Sequence, residues 1–342
     1  MHIFGSMVGC ILALIAMGVL YQRIGAHRDR LRYTHAGRWI TIGRGSKLYL
    51  LEKGSGGPTV LFESGIAATN LNWCHIQERV SHFTHTASYD RGGLGWSSRA
   101  RTARTPGNIA VELRVMLQEA GIRPPYILVG HSFGGLVMRR YALAYPEDVS
   151  GIVLIDPMRP EEWPPLDPTK QSQLDRGIRL SGYAIPIAQI GLARLAVTSL
   201  LCRSGRLSSF LAGAAGTGGM HVLGRIKGEV GKMPQEVWPI VAAHWSRPGY
   251  YAGMCSHVEA VPATVREMQD ANPIHDIPVT LLTPGSSAPL TERCLSRIGD
   301  NVQQVIAPAS AHWIHLDQPD LIIDSIRGMV FAKTAEAVAT TV

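Results

Sequence analysis

The stretch Tyr126-Ile127-Leu128-Val129-Gly130-His131-Ser132-Phe133-Gly134-Gly135 carries the most direct chemical implication in this 342-residue chain. A serine with glycine two positions away on either side suits a turn with no room for Cβ atoms beside it. Here the apolar residues 126–129 read as a strand and residues 133–145 as a helix, so the turn joins the two. Such a turn lifts a hydroxyl above the sheet, and the helix start offers N–H groups to a developing negative charge. The chemistry implied is nucleophilic attack by Ser132 on a carbonyl. A serine hydroxyl is a poor nucleophile until a neighbouring base takes its proton, so a base and a group to orient that base are required elsewhere in the chain. The bland reading, a glycine-rich turn with an incidental serine, leaves the strand before it and the helix after it unexplained.

A serine held this way needs a sheet beneath it, and the surrounding sequence supplies one. Residues 39–42 and 48–52, separated by a Gly-Arg-Gly-Ser turn, predict an opening hairpin. Apolar strands are expected at 59–63, 84–89, 126–129, 152–155, 279–282 and 302–306. Helices are expected at 70–80, 106–120, 133–145 and 321–331. Strands alternating with helices at this spacing imply an α/β fold with a mostly parallel central sheet flanked by helices. Between residues 157 and 277 the rhythm breaks into helical patches rich in Pro and Gly. So long an interruption reads as a lid or cap inserted over the sheet, and its composition suits a wall over an apolar ligand as well as ordinary packing. The expected organisation is a membrane anchor with a basic segment at 1–30, two core halves at 31–156 and 278–332, the insertion at 157–277, and a flexible tail at 333–342.

Composition narrows the function classes. Apolar residues make up 46% and charged residues 17% of the chain, which excludes a disordered or coiled-coil protein. The five cysteines, at 10, 74, 202, 255 and 294, form no CxxC pair, so neither a zinc site nor a disulfide framework is expected. The net charge of +7 is concentrated: Arg23, Arg28, Arg30, Arg32, Arg38, Arg44 and Lys47, set against Asp29, account for +6 of it. A nucleic-acid partner is not expected, because such proteins carry basic residues as a face of the folded domain. Here they follow residues 3–21, which contain no charged side chain. In a helix those nineteen residues rise about 28 Å, close to the hydrocarbon thickness of a bilayer. The reading is a single-pass N-terminal transmembrane helix in contact with membrane lipid. A cleaved signal peptide is the alternative, but no Lys or Arg precedes the segment and no A-x-A-like site follows it before Arg23. Excess arginine after the span places the remainder on the cytoplasmic side, or against anionic head groups.

Three further motifs join the first in a fixed order. Leu61-Phe62-Glu63-Ser64-Gly65 forms a strand-end turn. Tyr89-Asp90-Arg91-Gly92-Gly93-Leu94-Gly95-Trp96-Ser97 follows the next strand. Ser310-Ala311-His312-Trp313-Ile314-His315-Leu316-Asp317-Gln318-Pro319 precedes the last helix. From about residue 37 to 332, apart from the insertion, the chain resembles the α/β-hydrolase fold superfamily, with Gly-His-Ser-Phe-Gly-Gly as its nucleophile elbow. The resemblance implies a serine hydrolase, esterase- or lipase-like, acting on a small-molecule ester or thioester, and the apolar insertion and anchor favour a lipid-like one.

It further implies His312 as the base, the backbone N–H of Phe133 as one oxyanion donor and that of Ile66 as the second. His131, inside the elbow, and His315, which is expected to pack, compete less well for the base. The acid departs from the family pattern: the usual aspartate after strand 279–282 is replaced by Thr283-Pro284-Gly285-Ser286-Ser287-Ala288-Pro289. Asp156, at the end of the strand that follows the elbow helix, is the favoured substitute. Glu292, another acid, or a dyad oriented by a carbonyl stay open. Asp90 and Arg91 read as a clamp under the site rather than as reactants. Serine at 132, where dehalogenases and epoxide hydrolases of this fold carry aspartate, argues against alkyl-enzyme chemistry. No metal or organic cofactor is implied. The alternative from another class is a ligand-binding sensor or scaffold on the same fold with little turnover.

Overall fold

The computed structural model describes residues 2–43, 45–162, 168–202, 224, 228–287 and 290–341. Eight strands form one sheet: β1 (Arg38–Thr41), β2 (Lys47–Lys53), β3 (Thr59–Glu63), β4 (Thr86–Asp90), β5 (Tyr126–His131), β6 (Val149–Ile155), β7 (Val279–Pro284) and β8 (Val302–Ala307). Their order across the sheet is β1-β2-β4-β3-β5-β6-β7-β8. The first two strands pair antiparallel as the expected hairpin, β2 pairs antiparallel with β4, and every later pairing is parallel.

Register explains the two-sided core. Leu61 lies beside Leu128, Leu128 beside Ile152, and Phe62 beside Val129, which in turn lies beside Val153. Because side chains alternate along a strand, each row faces one side. Leu61, Leu128, Leu154 and Leu281 pack with the helices Pro106–Ala120 and Phe133–Ala144. Phe62, Val129, Val153 and Leu282 pack with the helix Cys74–Val80 and the closing helix Pro319–Thr341. On the closing helix Ile322, Ile326 and Val330 recur every four residues and are all buried.

Local departures from expectation have local causes. The helix expected at 70–80 starts as a 3-10 turn at Asn70–Trp73, where the Asn70 N–H is taken by the Asp90 carboxylate at 3.0 Å. Strand β4 begins at Thr86 rather than at 84, because the Thr84 hydroxyl donates to the Pro58 carbonyl at 2.7 Å and ties that residue into the preceding turn. Instead of a flexible tail from 333, the closing helix runs on to Thr341. Among the added residues, Lys333, Ala335, Glu336, Ala337 and Ala339 are good helix formers.

Between β6 and β7 the described helices are Pro168–Gln189, Leu192–Cys202, Trp238–Trp245, Pro248–Glu259 and Val261–Gln269. They pack over the loops that follow β3 and β4. The Tyr250 hydroxyl donates to the Ala67 carbonyl at 3.2 Å, and the Arg247 guanidinium donates to the Gly95 carbonyl at 2.5 Å. Before the sheet, one helix spans His2–Tyr33. Among the described residues it is the one single helix long and apolar enough to cross a membrane.

Candidate active site

The loops that follow the parallel strands β3, β4, β5, β6 and β8 meet at the carboxyl edge of the sheet, where open parallel sheets place their sites. Ser132 lies directly after β5, with φ 54° and ψ −119°. A side chain rarely tolerates that conformation, and the surrounding contacts enforce it. The Ser132 N–H donates to the Ile155 carbonyl at 3.0 Å, and the Ser132 carbonyl accepts from Met158 N–H at 3.1 Å. The two flanking glycines are steric necessities. A Cβ on Gly130 would stand 2.6 Å from the Gly134 carbonyl oxygen, and a Cβ on Gly134 would overlap the carbonyl oxygen of Glu63.

His312 lies on the loop after β8, and its imidazole Nδ1 is 2.7 Å from Asp156 Oδ2. A carboxylate only accepts, so Nδ1 carries the proton and Nε2 keeps a free lone pair. Asp156 follows β6 directly, with φ 39°, and its own N–H donates to the Leu282 carbonyl at 2.8 Å. Of the acids open at the sequence level, Asp156 therefore meets His312. Glu292 instead opens the short helix Glu292–Ser296 and is exposed. At the end of β7, Thr283 accepts a hydrogen bond from the Gln304 amide at 2.9 Å and serves strand pairing.

The imidazole of His131 is fully buried and packs 4.6 Å from the His312 ring and 4.3 Å from the His315 ring. Its Nε2–H donates to the His312 carbonyl at 2.8 Å, which fastens the histidine loop to the residue next to Ser132. Burial, with His315 and His312 close by, holds His131 well below the usual imidazole pKa, so it is neutral. His315 packs, as expected, between His131 and Trp73, and burial pushes it down to about 3. Gln318 completes the loop: its side-chain oxygen accepts from Ala309 N–H at 3.0 Å and from the Ser310 hydroxyl at 2.9 Å.

Ile66 and Phe133 pack against one another in a small apolar cluster with Ile109 and Val137. A Cβ on Gly65 would lie 3.4 Å from the Ser132 Cβ, so the turn after β3 abuts the serine. The clamp reading of Asp90 and Arg91 has a specific geometry. Arg91 donates to the Ser64 carbonyl at 2.9 Å and to the Gly65 carbonyl, and its guanidinium stands 5.1 Å over the Phe133 ring. It also pairs with the buried Glu63 carboxylate at 3.2 Å, which accepts from the Tyr89 hydroxyl and from Ser64 N–H. Burial, opposed by Arg91, raises the Glu63 pKa, and burial pushes Asp90 up to about 6 against hydrogen bonds from Trp96 and Asn70. The sequence reading missed Glu63, Tyr89 and Gln318 as supports, although all three lie inside the quoted motifs.

Apolar residues of the insertion, Val197, Leu201 and Met233, pack in one cluster with Ile66, Ala67 and Leu316. Lys232 pairs with Asp317 at 2.5 Å, joining the insertion to the histidine loop. A shallow cleft open to solvent runs beside Asp156, Met158 and Leu290. Among the described residues no group of three His, Cys, Asp or Glu side chains could hold a metal ion.

A family model for the alpha/beta hydrolase fold matches residues 58–179. The protein YqjL of Bacillus subtilis is 34% identical over 105 residues, 31% of this chain and 42% of that protein. A human (lyso)-N-acylphosphatidylethanolamine lipase is 29% identical over 149 residues, 40% of this chain and 41% of the lipase. The match thus spans about two fifths of the length of each of these relatives. The solved structure of the epoxide hydrolase CorEH superposes with a TM-score of 0.63 at 17% identity, covering 87% of this chain and 99% of that one. That likeness is one of fold. With the strand order and the segment matched by the family model, it shows that the chain has the α/β-hydrolase fold.

Proposed function

We propose that the chain is a serine hydrolase that cleaves a carboxylic ester or thioester through an acyl-enzyme on Ser132. The observation that carries this reading is the 2.7 Å contact of His312 Nδ1 with Asp156, on loops laced to a serine held at positive φ. In the proposed reaction Ser132 Oγ attacks the carbonyl carbon and passes its proton to His312 Nε2. Asp156 holds the tautomer and stabilises the imidazolium. The N–H groups of Phe133 and Ile66 receive the oxyanion as the carbonyl double bond opens. His312 then protonates the leaving alkoxide or thiolate. Water activated by His312 attacks the acyl-enzyme, and the acid leaves as Ser132 recovers its proton.

A lipid-like ester suits this reading best. The insertion places apolar side chains beside Ile66, and one relative is named as a lipase of acylated phospholipids. In the same reading, residues 3–21 anchor the chain in a membrane without being cleaved, the insertion is the lid, and the arginine-rich continuation puts the hydrolase on the cytoplasmic side.

The test is covalent labelling of the full-length protein in mild detergent by a fluorophosphonate probe, followed by kinetics on an acyl-ester length series. Wild type is expected to label and Ser132→Ala to lose labelling and turnover. Asp156→Asn is expected to lower kcat/KM by about 10²–10⁴-fold, as loss of the orienting carboxylate does in other triads. Glu292→Gln should stay within about twofold. Ester turnover that survives Ser132→Ala would sink the mechanism, and slow single-turnover labelling with tight ligand retention would favour the sensor reading.

A further inference from the structure

The amino-terminal helix does more than precede the domain, because its second half is built into it. A Cβ on Gly18 would overlap the Ile190 carbonyl oxygen, and one on Gly25 would stand 2.7 Å from the Arg194 guanidinium. Gln22 is buried between these glycines: its amide donates to the Ser246 carbonyl at 2.9 Å and accepts from Arg194 Nε at 2.9 Å. Arg194 also pairs with Asp29 at 2.7 Å. The corner between the helices Pro168–Gln189 and Leu192–Cys202 is thereby held against Gly18.

Gly18 lies within the uncharged stretch 3–21, five residues before Arg23, the first charge. At 1.5 Å per residue that puts it about 7 Å on the apolar side of the charge boundary. The two corner helices meet at 98°. Outside the amino-terminal helix, eight large apolar side chains are exposed among the described residues. Five of them, Leu180, Tyr183, Ile187, Leu192 and Leu195, lie on this corner. On the first of these helices Arg176, Leu180, Tyr183 and Ile187 follow at four-, three- and four-residue steps, so one face grades from basic to apolar towards the corner. That gradient and depth match an interfacial element, which buries its apolar face about 5–10 Å into the head-group and acyl boundary.

We propose that this corner is a second membrane-contacting element, immersed in the same leaflet as the residues around Gly18. The inference rests on the reading of residues 3–21 as an anchor and deepens it by fixing how the domain sits on the bilayer. The helix Leu192–Cys202 turns Leu192 and Leu195 outward, and Val197 and Leu201 inward onto the cluster with Ile66 and Ala67. The same helix thus carries the bilayer-facing side chains on one side and, on the other, side chains of the apolar cluster that includes Ile66. A bilayer-dissolved ester would reach the site along this helix without crossing water.

The test uses the full-length chain in phosphatidylcholine vesicles containing phosphatidylcholine with a diazirine in its acyl chain, with adducts mapped by mass spectrometry after photolysis. Adducts on residues 4–17 and also on 183–195 are expected. Adducts on 4–17 with none on 183–195 would overturn the inference while leaving the anchor standing. Adducts on neither segment would overturn the anchor reading and the inference with it. In the triple variant Tyr183→Asp, Ile187→Asp, Leu195→Asp, corner adducts should fall at least about fivefold, the cost of three buried carboxylates being far larger than that ratio requires, with 4–17 adducts retained. Unchanged corner adducts in that variant would mean collision rather than immersion and would likewise overturn the inference.

Discussion

At the scale of single residues, the support of the site is as informative as its reacting groups. Arg91 takes hold of the Ser64 and Gly65 carbonyls, which turns the next peptide N–H, that of Ile66, away from the clamp. Lysine keeps the charge but loses the planar two-pronged donor. Arg91→Lys is therefore expected to lower kcat about 10–100-fold, with a stability loss under about 2 kcal/mol, because Glu63 retains a cation. Arg91→Met should cost about 3–5 kcal/mol in urea unfolding, since Glu63 is then buried without its partner. If Arg91→Lys keeps full kcat, the clamp is structural only. His131 has a parallel place: its ring fastens the His312 carbonyl, and burial keeps it neutral and able to donate.

At the scale of elements, close approach decides what each junction tolerates. The helix Phe133–Ala144 approaches the end of β3 so closely that Gly134 admits no Cβ. Gly134→Ala is expected to lower stability by about 2–4 kcal/mol, read as a drop in thermal midpoint, because backbone rather than a flexible side chain must move. The amino-terminal helix offers a paired test. Gly18→Leu should dislodge it from the corner at Ile190 and raise amide hydrogen exchange over residues 22–33 at least about tenfold. Gly9→Leu should leave exchange there unchanged, since a Cβ at that position meets nothing beyond its own helix. Equal exchange in both variants would mean that the helix is not docked.

At the scale of the whole molecule, buried ionisable groups set the pH dependence of stability. His131, His244, His257 and His315 are all buried, and burial depresses each of them; His244 and His315 go down to about 3. The unfolded chain takes up protons at these four positions below about pH 6.5, whereas the folded chain does not. Their contribution is fully present above pH 6.5 and is lost as the pH falls towards 3. Asp90, raised to about 6, and Glu63, also raised, run the other way, since the folded chain holds their protons after the unfolded chain has released them. Four depressed imidazoles outnumber the two raised carboxyl groups, so unfolding near pH 5 takes up protons on balance and stability rises with pH there. Urea unfolding at pH 5, 6 and 7 should show stability rising with pH, and a flat profile would mean that these imidazoles are solvated.

The sequence by itself determined the elements whose patterns are local. Short apolar runs and near-period-four apolar repeats mark the strands and helices, and the glycines about Ser132 mark the turn, because sterics within a few residues leave one solution. It also singled out Ser132 and His312, whose neighbours in the chain carry their context. Which carboxylate meets His312 was open in the sequence, because Asp156 and Glu292 both follow strands, and the choice depends on how β6, β7 and β8 lie side by side. Only the tertiary structure placed Asp156 at 2.7 Å from His312. The same holds for Arg91 reaching back to the carbonyls after β3, and for Gly18, inside the stretch read as membrane-spanning, and Gln22 and Gly25 just after it, all three packed against the insertion. These contacts join residues from 26 to 224 positions apart, and no local pattern encodes a partner at such separations.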